Sequence, residues 1–489
     1  MSRLGLVAGR LEWQHLIYFL YSLLLAAAML LSLPYWLYQM LRHGKYRRGF
    51  AERLGAVPPR LGRNGISAEN PGTENASLPR LASVIWVHAV SVGEVLAVSR
   101  LVDEMRLRFP RHKIFITTTT DTGQELARKR FGEESVFYFP LDFAFAIRPY
   151  LRALRPELVV IAETEFWPNF LRLARTSGAR IAVVNARISD RSWPNYRRFR
   201  LLLRKELESV DLFLAQTHAD GTRLQSIGAA PDRVRVTGNL KFDLNLPAAP
   251  AIVADLRKAF SESGGGPILV CGSTVDGEEP LLLKAFENLL VAHPRAVMIL
   301  APRHPERFDA VASLLTQMEL PFWRRTLWSA QNSPGVKAKP LGGGVLLIDT
   351  IGELAALYEL ADVAFVGGSL VPHGGHNILE PAQYGVAIVV GNHTENFRDI
   401  VSLFQSRNAV RIVGMAELPL VFMELLANPA ERAALGQRAA ETMRSQTGAT
   451  RRTVEALANL LGAHGRREMP NAAQSTGQTT QTARQRRTD

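Results

Sequence analysis

At 489 residues, with 47% hydrophobic and 21% charged residues, the chain has the length for two or three domains and the composition of a globular protein, which excludes a largely disordered one. The net charge of +13 suggests a nucleic-acid partner, but seven Lys/Arg against the single acid Glu52 lie within residues 41–63, and five Arg against Glu468 and Asp489 lie within 465–489. Two short basic segments account for most of the excess, as a juxtamembrane flank and a tail would, and this argues against a nucleic-acid-reading surface.

Residues 16–41 (LIYFLYSLLLAAAMLLSLPYWLYQML) are apolar almost throughout, long enough to cross a bilayer core. The strongly basic flank after them puts the bulk of the chain in the cytoplasm by the positive-inside rule, and Tyr18, Phe19 and Tyr21 at one end with Tyr35, Trp36 and Tyr38 at the other suit the two interfaces. Pro34 leaves open a helix that inserts into one leaflet only. Residues 58–79, rich in Gly, Asn, Pro and Ser, predict a mobile loop.

Alternation of apolar strand runs with helical periodicity then begins. Strands are predicted at 82–90, 113–118, 135–139, 158–162, 180–185, 212–215 and 234–237, with helices running to 109, over 124–130 and 144–154, and after Pro168. Residues 246–266, with prolines, alanines and three consecutive glycines, read as a linker. The alternation restarts with strands at 268–271, 296–301, 344–348, 363–366 and 387–390, helices over 278–291, from 306 and over 353–359, and a long closing helix over 429–461. The predicted fold is therefore α/β: two doubly wound Rossmann-like halves facing across a cleft, with an N-terminal membrane helix. The boundaries are an anchor over 1–45, a first domain over 46–245, the linker over 246–266, a second domain over 267–463 and a disordered tail over 464–489. The single cysteine, Cys271, ends an apolar run and reads as a buried thiol; no internal disulfide is possible, in keeping with a reducing compartment.

Polar residues cluster where the predicted strands end. In the first half these are His88 and Ser91-Val92-Gly93-Glu94, Glu163-Thr164-Glu165, Asn185-Ala186-Arg187, and Lys241; in the second, Gly272-Ser273-Thr274, Pro302-Arg303-His304, Ile351-Gly352-Glu353, and Gly374-Gly375-His376-Asn377-Ile378-Leu379-Glu380. Residues 361–385 join an apolar run to paired glycines, a loop and a helix start, a pattern that serves either as a phosphate cradle or as an ordinary strand-to-helix turn. Glu94 can act as a base on a glycine-flanked turn or simply favour a helix N-terminus. Arg303 between two prolines is stiffly presented, to a phosphate or to solvent. His373, His376 and His393 could ligate a metal, but no carboxylate or cysteine follows at ligand spacing, so no metal site is assigned. His88 reads as a histidine satisfied beside the first strand or as a donor on the acceptor side, rather than a nucleophile. Residues 187–205 hold Arg187, Arg191, Arg197, Arg198, Arg200, Arg204 and Lys205, either a solvated helix face or a collar for acidic lipid.

Taken together, in this order and over residues 47–451, these segments resemble the Kdo transferases, which move 3-deoxy-D-manno-octulosonic acid (Kdo) from its CMP conjugate onto the lipid A precursor. The resemblance implies a B-type glycosyltransferase fold, no cofactor and no metal. It also implies a membrane anchor and action at the cytoplasmic face of the bacterial inner membrane. By the same resemblance Glu94 is the catalytic base, and Glu163 and Lys241 assist the transition state. CMP contacts fall on Pro302 and Arg303, on Ile351, Gly352 and Glu353, and on Asn377, Ile378, Leu379 and Glu380. Two positions depart from the family pattern: Val275 stands where a histidine is usual, and Ile378 where a proline is usual. The alternatives are a B-type transferase using another nucleotide sugar, and a catalytically silent, membrane-tethered nucleotide or glycolipid binder.

Overall fold

Runs such as Val84-Ile85-Trp86-Val87 are apolar on both faces, which suits a strand covered by helices on both sides. The computed structural model describes residues 3–43, 48–61, 83–190, 192–243, 251–328 and 342–465. Among these, the strands form two parallel sheets of seven. The first contains β1 (Ser83–His88), β2 (His112–Thr118), β3 (Val136–Tyr138), β4 (Leu158–Ala162), β5 (Arg180–Ala186), β6 (Leu212–Ala215) and β7 (Val234–Val236), in the order β3-β2-β1-β4-β5-β6-β7. The second contains β8 (Ile268–Thr274), β9 (Val297–Pro302), β10 (Phe322–Arg324), β11 (Gly344–Leu347), β12 (Val363–Val366), β13 (Ala387–Gly391) and β14 (Arg411–Val413), in the order β10-β11-β9-β8-β12-β13-β14. Each order reverses direction beside its first strand, the switch point at which doubly wound sheets bind ligands. The expected α/β fold of two doubly wound halves with an N-terminal apolar helix is thus observed.

The chain divides into two compact units, Met1–Asp243 with Gly448–Asp489, and Leu244–Thr447. In the first, fully buried Trp86 packs edge-on against Phe170 at 5.0 Å and beside Phe137 at 5.5 Å. Burying an aromatic side chain of this kind contributes about 1.5–3 kcal/mol. In the second, Leu269, Phe286, Phe365 and Phe422 pack in one core on one side of the sheet, while Val270, Ile299 and Tyr358 pack in another.

The boundaries differ from the expectation in two places. The expected linker contains a helix, Ala251–Ser263, whose Ile252, Val253, Leu256 and Phe260 are buried against the second sheet. Its prolines and glycines flank that amphipathic stretch without interrupting it. The expected long closing helix is broken into Pro429–Gln446 and Ala449–Gly465 at Gly448, which takes φ +88°. The Asp243 carboxylate accepts the amides of Gly448 (2.7 Å) and Thr450 (2.6 Å), starting a new helix, and Ala449, Val454 and Leu457 are buried in the first unit's core. Residues 449–463 therefore belong with the first unit and not with the second.

The helix Arg3–His43 is long and apolar enough to cross a membrane over Ile17–Arg42. Near the start of that span, Ser22 accepts a bond from Asn169 Nδ2 (3.1 Å), and the Arg172 guanidinium lies 4.4 Å from the Tyr18 ring centre. Past that point Leu23, Leu24, Leu30 and Leu31 are exposed. The loop expected over 58–79 lies, from residue 62 on, outside the described residues, as do Arg191 and the tail from 466.

Candidate functional site

In the first unit, β1 ends at His88 and the helix Val92–Arg108 begins after Ser91, which takes the extended backbone of an N-cap. Glu94 stands in the first turn and folds back on the cap. One carboxylate oxygen accepts the Val90 amide (2.9 Å) and the other the Ser91 hydroxyl (3.0 Å). The side chain is thus held at the helix mouth, although the Ser91 side chain itself caps no helix amide. Burial pushes its pKa up to about 7, the Val90 amide opposes the shift, and the nearby carboxylates of Glu163 and Glu165 add to it. A carboxylate with that pKa is poised to take a proton near neutral pH. The helix-start position and the raised pKa therefore coexist in one residue.

Glu163 follows β4 with φ +56°, and its amide bonds to the Val184 carbonyl at 2.9 Å. Left-handed backbone at a residue with a side chain is uncommon and concentrates at functional sites. Lys241 Nζ lies 3.5 Å from Glu163 Oε1. Lys241 is carried on the turn Leu240–Phe242, which two asparagines hold: Asn239 accepts the Lys241 amide (3.0 Å) and Asn185 accepts the Leu240 amide (3.0 Å). Asn185 can reach because it sits at φ +53° where the register of β5 against β6 slips. Glu94, Glu163 and Lys241, 147 positions apart at the extremes, are thereby gathered at one rim. His88 is buried, stacked on Phe139 at 3.9 Å and hydrogen-bonded to Thr117 Oγ1, and burial drives its pKa down to about 3. It lies beside the first strand as expected, but it is only half satisfied, since its Nε2 is buried without a hydrogen-bond partner.

The second unit repeats the device. Ser273 takes φ +56° where β8 slips against β9, and the Arg303 amide bonds to the Thr274 carbonyl at 2.9 Å, so Pro302 and Arg303 emerge at that rim. The Arg303 charge acts on both His376 and Glu380. Burial raises the Glu380 pKa, and the Asn377 side-chain amide (3.2 Å) and Arg303 oppose the shift. Asn377 also accepts the Leu379 amide (3.1 Å), starting the short helix Leu379–Gln383. Arg303, His376, Asn377 and Glu380 therefore form one cluster. Ile378 and Leu379 are buried, so their side chains serve packing. Glu353 is held by Arg325 through both carboxylate oxygens (2.9 and 3.1 Å) and by the Thr350 hydroxyl. Beside it Gly352 takes φ +93° and Ile351 is largely exposed. The carboxylate of Glu353 is committed to Arg325, leaving Ile351 and Gly352 as the open part of that segment.

Among the described residues no three His, Cys, Asp or Glu side chains converge as a metal site would require. His376 Nδ1 is engaged with the Gly367 carbonyl at 2.8 Å. Cys271 is buried, and burial pushes its thiol well up. Sequence reasoning gave no role to Asn185, although it stands at the polar end of β5, nor to Glu278 and Arg325. The one available signal for Glu278 was a pair of acids, Glu278-Glu279, directly before an apolar helical run.

A sequence model of the family described as 3-Deoxy-D-manno-octulosonic-acid transferase (kdotransferase) matches residues 48–244. The 3-deoxy-D-manno-octulosonic acid transferase of Haemophilus influenzae is 34% identical over 418 residues, 84% of this chain and 91% of that protein. The enzyme of the same name from Bordetella pertussis is 37% identical over 83% of this chain and 92% of its own length. Among solved structures, the C-terminal CMP-Kdo binding domain of WaaA from Acinetobacter baumannii is 33% identical and covers 40% of this chain and 98% of its own, with a TM-score of 0.35. A doubly wound two-unit enzyme with these full-length relatives is a glycosyltransferase. Within that class, the chain belongs to the Kdo transferase family.

Proposed function

We propose that the chain transfers Kdo from CMP-Kdo to the lipid A precursor, lipid IVA, in lipopolysaccharide core biosynthesis, releasing CMP, with inversion and without a metal. The observation that carries this reading is the grouping of Glu94, Glu163 and Lys241 on one rim, with Glu94 raised to about 7 and Lys241 3.5 Å from Glu163. The acceptor hydroxyl oxygen forms the new bond to the anomeric carbon of Kdo while the bond from that carbon to the CMP phosphate oxygen breaks. The bonding pair leaves on CMP, and the hydroxyl proton passes to Glu94. Lys241 and Glu163 stabilise the transition state beside it. Arg303 offsets the charge gathering on the phosphate, a task a divalent cation performs elsewhere, and the chain holds no Asp-x-Asp pair. Asn377 and Glu380 offer an amide and a carboxylate to the hydroxyls and base of CMP, with Pro302, Ile351, Gly352, Ile378 and Leu379 shaping that donor site.

The membrane reading draws on the exposed leucines of the N-terminal helix and on the basic helices beside its start. Arg197, Arg198, Arg200, Arg204 and Lys205 are exposed, and Glu206, on the helix Arg200–Glu208, bonds to Tyr18. Cations there favour an acidic, phosphorylated glycolipid at the inner membrane's cytoplasmic face. The test is turnover by the purified chain with lipid IVA and either CMP-Kdo or a panel of UDP-sugars. CMP release with CMP-Kdo alone is expected; turnover with a UDP-sugar instead would overturn the donor assignment, and nucleotide binding without product would overturn the enzymatic one.

A further inference from the structure

The glycine-rich loop after β12 has the sequence of a phosphate cradle, yet its amides already hold an anion. Glu278 is fully buried, and its carboxylate accepts four backbone N–H groups. Gly368 (2.7 Å) and Val275 (3.0 Å) donate to one oxygen, Ser369 and Leu370 (2.9 Å each) to the other. No cation is among these partners. The charge is balanced by oriented amide dipoles, as in a backbone nest. Gly367 is where the chain passes closest: a Cβ there would stand 2.6 Å from the Ser273 carbonyl oxygen and 2.8 Å from Glu278 Oε2.

We infer that Glu278 is the positioning residue of the donor site: its carboxylate fills the loop's anion nest from within and so sets the loop that presents His376 and Asn377. This rests on the donor reading given above. The link is short. The Gly368 carbonyl accepts the Gly375 amide at 2.7 Å, and the Gly367 carbonyl meets His376 Nδ1 at 2.8 Å. Fixing 368–370 therefore fixes the base of the turn that ends at Asn377, beside Arg303. An ionised carboxylate is acceptor only, whereas a glutamine in its place turns an NH2 toward two of the four donors, so shape is kept and the grip is halved. The corollary is that the amides of 368–370 do not bind the donor phosphate, which is left to side chains such as Arg303.

The test is hydrogen exchange on the full-length protein in detergent, read in peptides spanning 368–370, with donor kinetics alongside. In the wild type these amides should be protected before nucleotide is added and gain less than twofold protection with saturating CMP. In E278Q their exchange should rise at least tenfold, with KM for CMP-Kdo up at least tenfold and KM for lipid IVA unchanged. Strong CMP-induced protection of 368–370 in the wild type would overturn the inference, as would an E278Q protein with wild-type exchange and donor KM. Should E278Q fail to fold, the wild-type comparison with and without CMP still decides. A wild type that binds no CMP would instead refute the donor reading, and the nucleotide-free comparison with E278Q would still decide whether Glu278 holds the loop.

Discussion

Replacing Glu94 with glutamine separates its two roles. The glutamine oxygen can still accept the Val90 amide and its NH2 can donate to Ser91 Oγ, so the bonds that hold the helix mouth survive. What is lost is a carboxylate whose pKa is raised from 4.5 to about 7. A group raised in the folded state stabilises the fold fully below its unfolded pKa, and that contribution is lost as pH rises through the folded one. At about 1.36 kcal/mol per pH unit, ionising Glu94 costs the folded state about 3 kcal/mol at pH 8 relative to pH 4. E94Q escapes that cost. The variant should therefore gain stability over wild type between pH 5 and 8, by about 2–4 °C in Tm per kcal/mol for a unit of this size. The gain should vanish near pH 4. Its transfer rate should fall about 10²–10⁴-fold, the usual worth of a general base, while CMP affinity is kept. Wild-type kcat/KM should rise with pH through about 7 as Glu94 ionises. Thermal scans at pH 4 and 8, with initial rates across the same range, check all of this. Near-normal turnover by E94Q, or equal melting of the two proteins at pH 8, would refute the reasoning.

Asn185→Ala removes the bond that seats the Lys241 turn and puts alanine at φ +53°. Stability should drop by about 1–3 kcal/mol, and kcat at least tenfold with the donor KM unmoved, as measured by melting and by steady-state kinetics. Arg303→Ala should raise KM for CMP-Kdo at least tenfold and leave KM for lipid IVA unchanged; an unaltered donor dependence in the same rate assay would remove Arg303 from the site. Leu457 is fully buried in the first unit's core, and Leu457→Ala should cost that unit about 2–5 kcal/mol in denaturant unfolding. The Trp86 environment, followed by fluorescence, should be lost with it. A loss confined to Leu244–Thr447 would contradict the placement of the last helix.

The repeating strand and helix runs were legible because buried parallel strands are apolar on both faces, so their existence and most of their limits could be read directly. The short edge strands Phe322–Arg324 and Arg411–Val413 were not, since three residues with polar members carry no period. The break at Gly448 was invisible for another reason: its cause is Asp243, about two hundred positions away, reaching the Gly448 and Thr450 amides. The same holds at the site. Glu94, Glu163, Lys241 and Arg303 announce themselves as charges at strand ends. The slips at Asn185 and Ser273 that seat Lys241 and Arg303 depend on neighbouring strands. The glycine loop left two readings open, a phosphate cradle and an ordinary turn, and the group its amides hold, Glu278, comes from a different strand-to-helix turn.

The most direct test of the central claim is the mass of the lipid product. Purified full-length protein, CMP-Kdo and lipid IVA are incubated, and the extracted lipid is compared by mass spectrometry with that from E94Q. The wild type should yield lipid IVA heavier by whole Kdo residues, with matching CMP release, and E94Q should yield essentially none. Unmodified lipid IVA from an active wild-type preparation, or a product carrying some other sugar, would contradict the account.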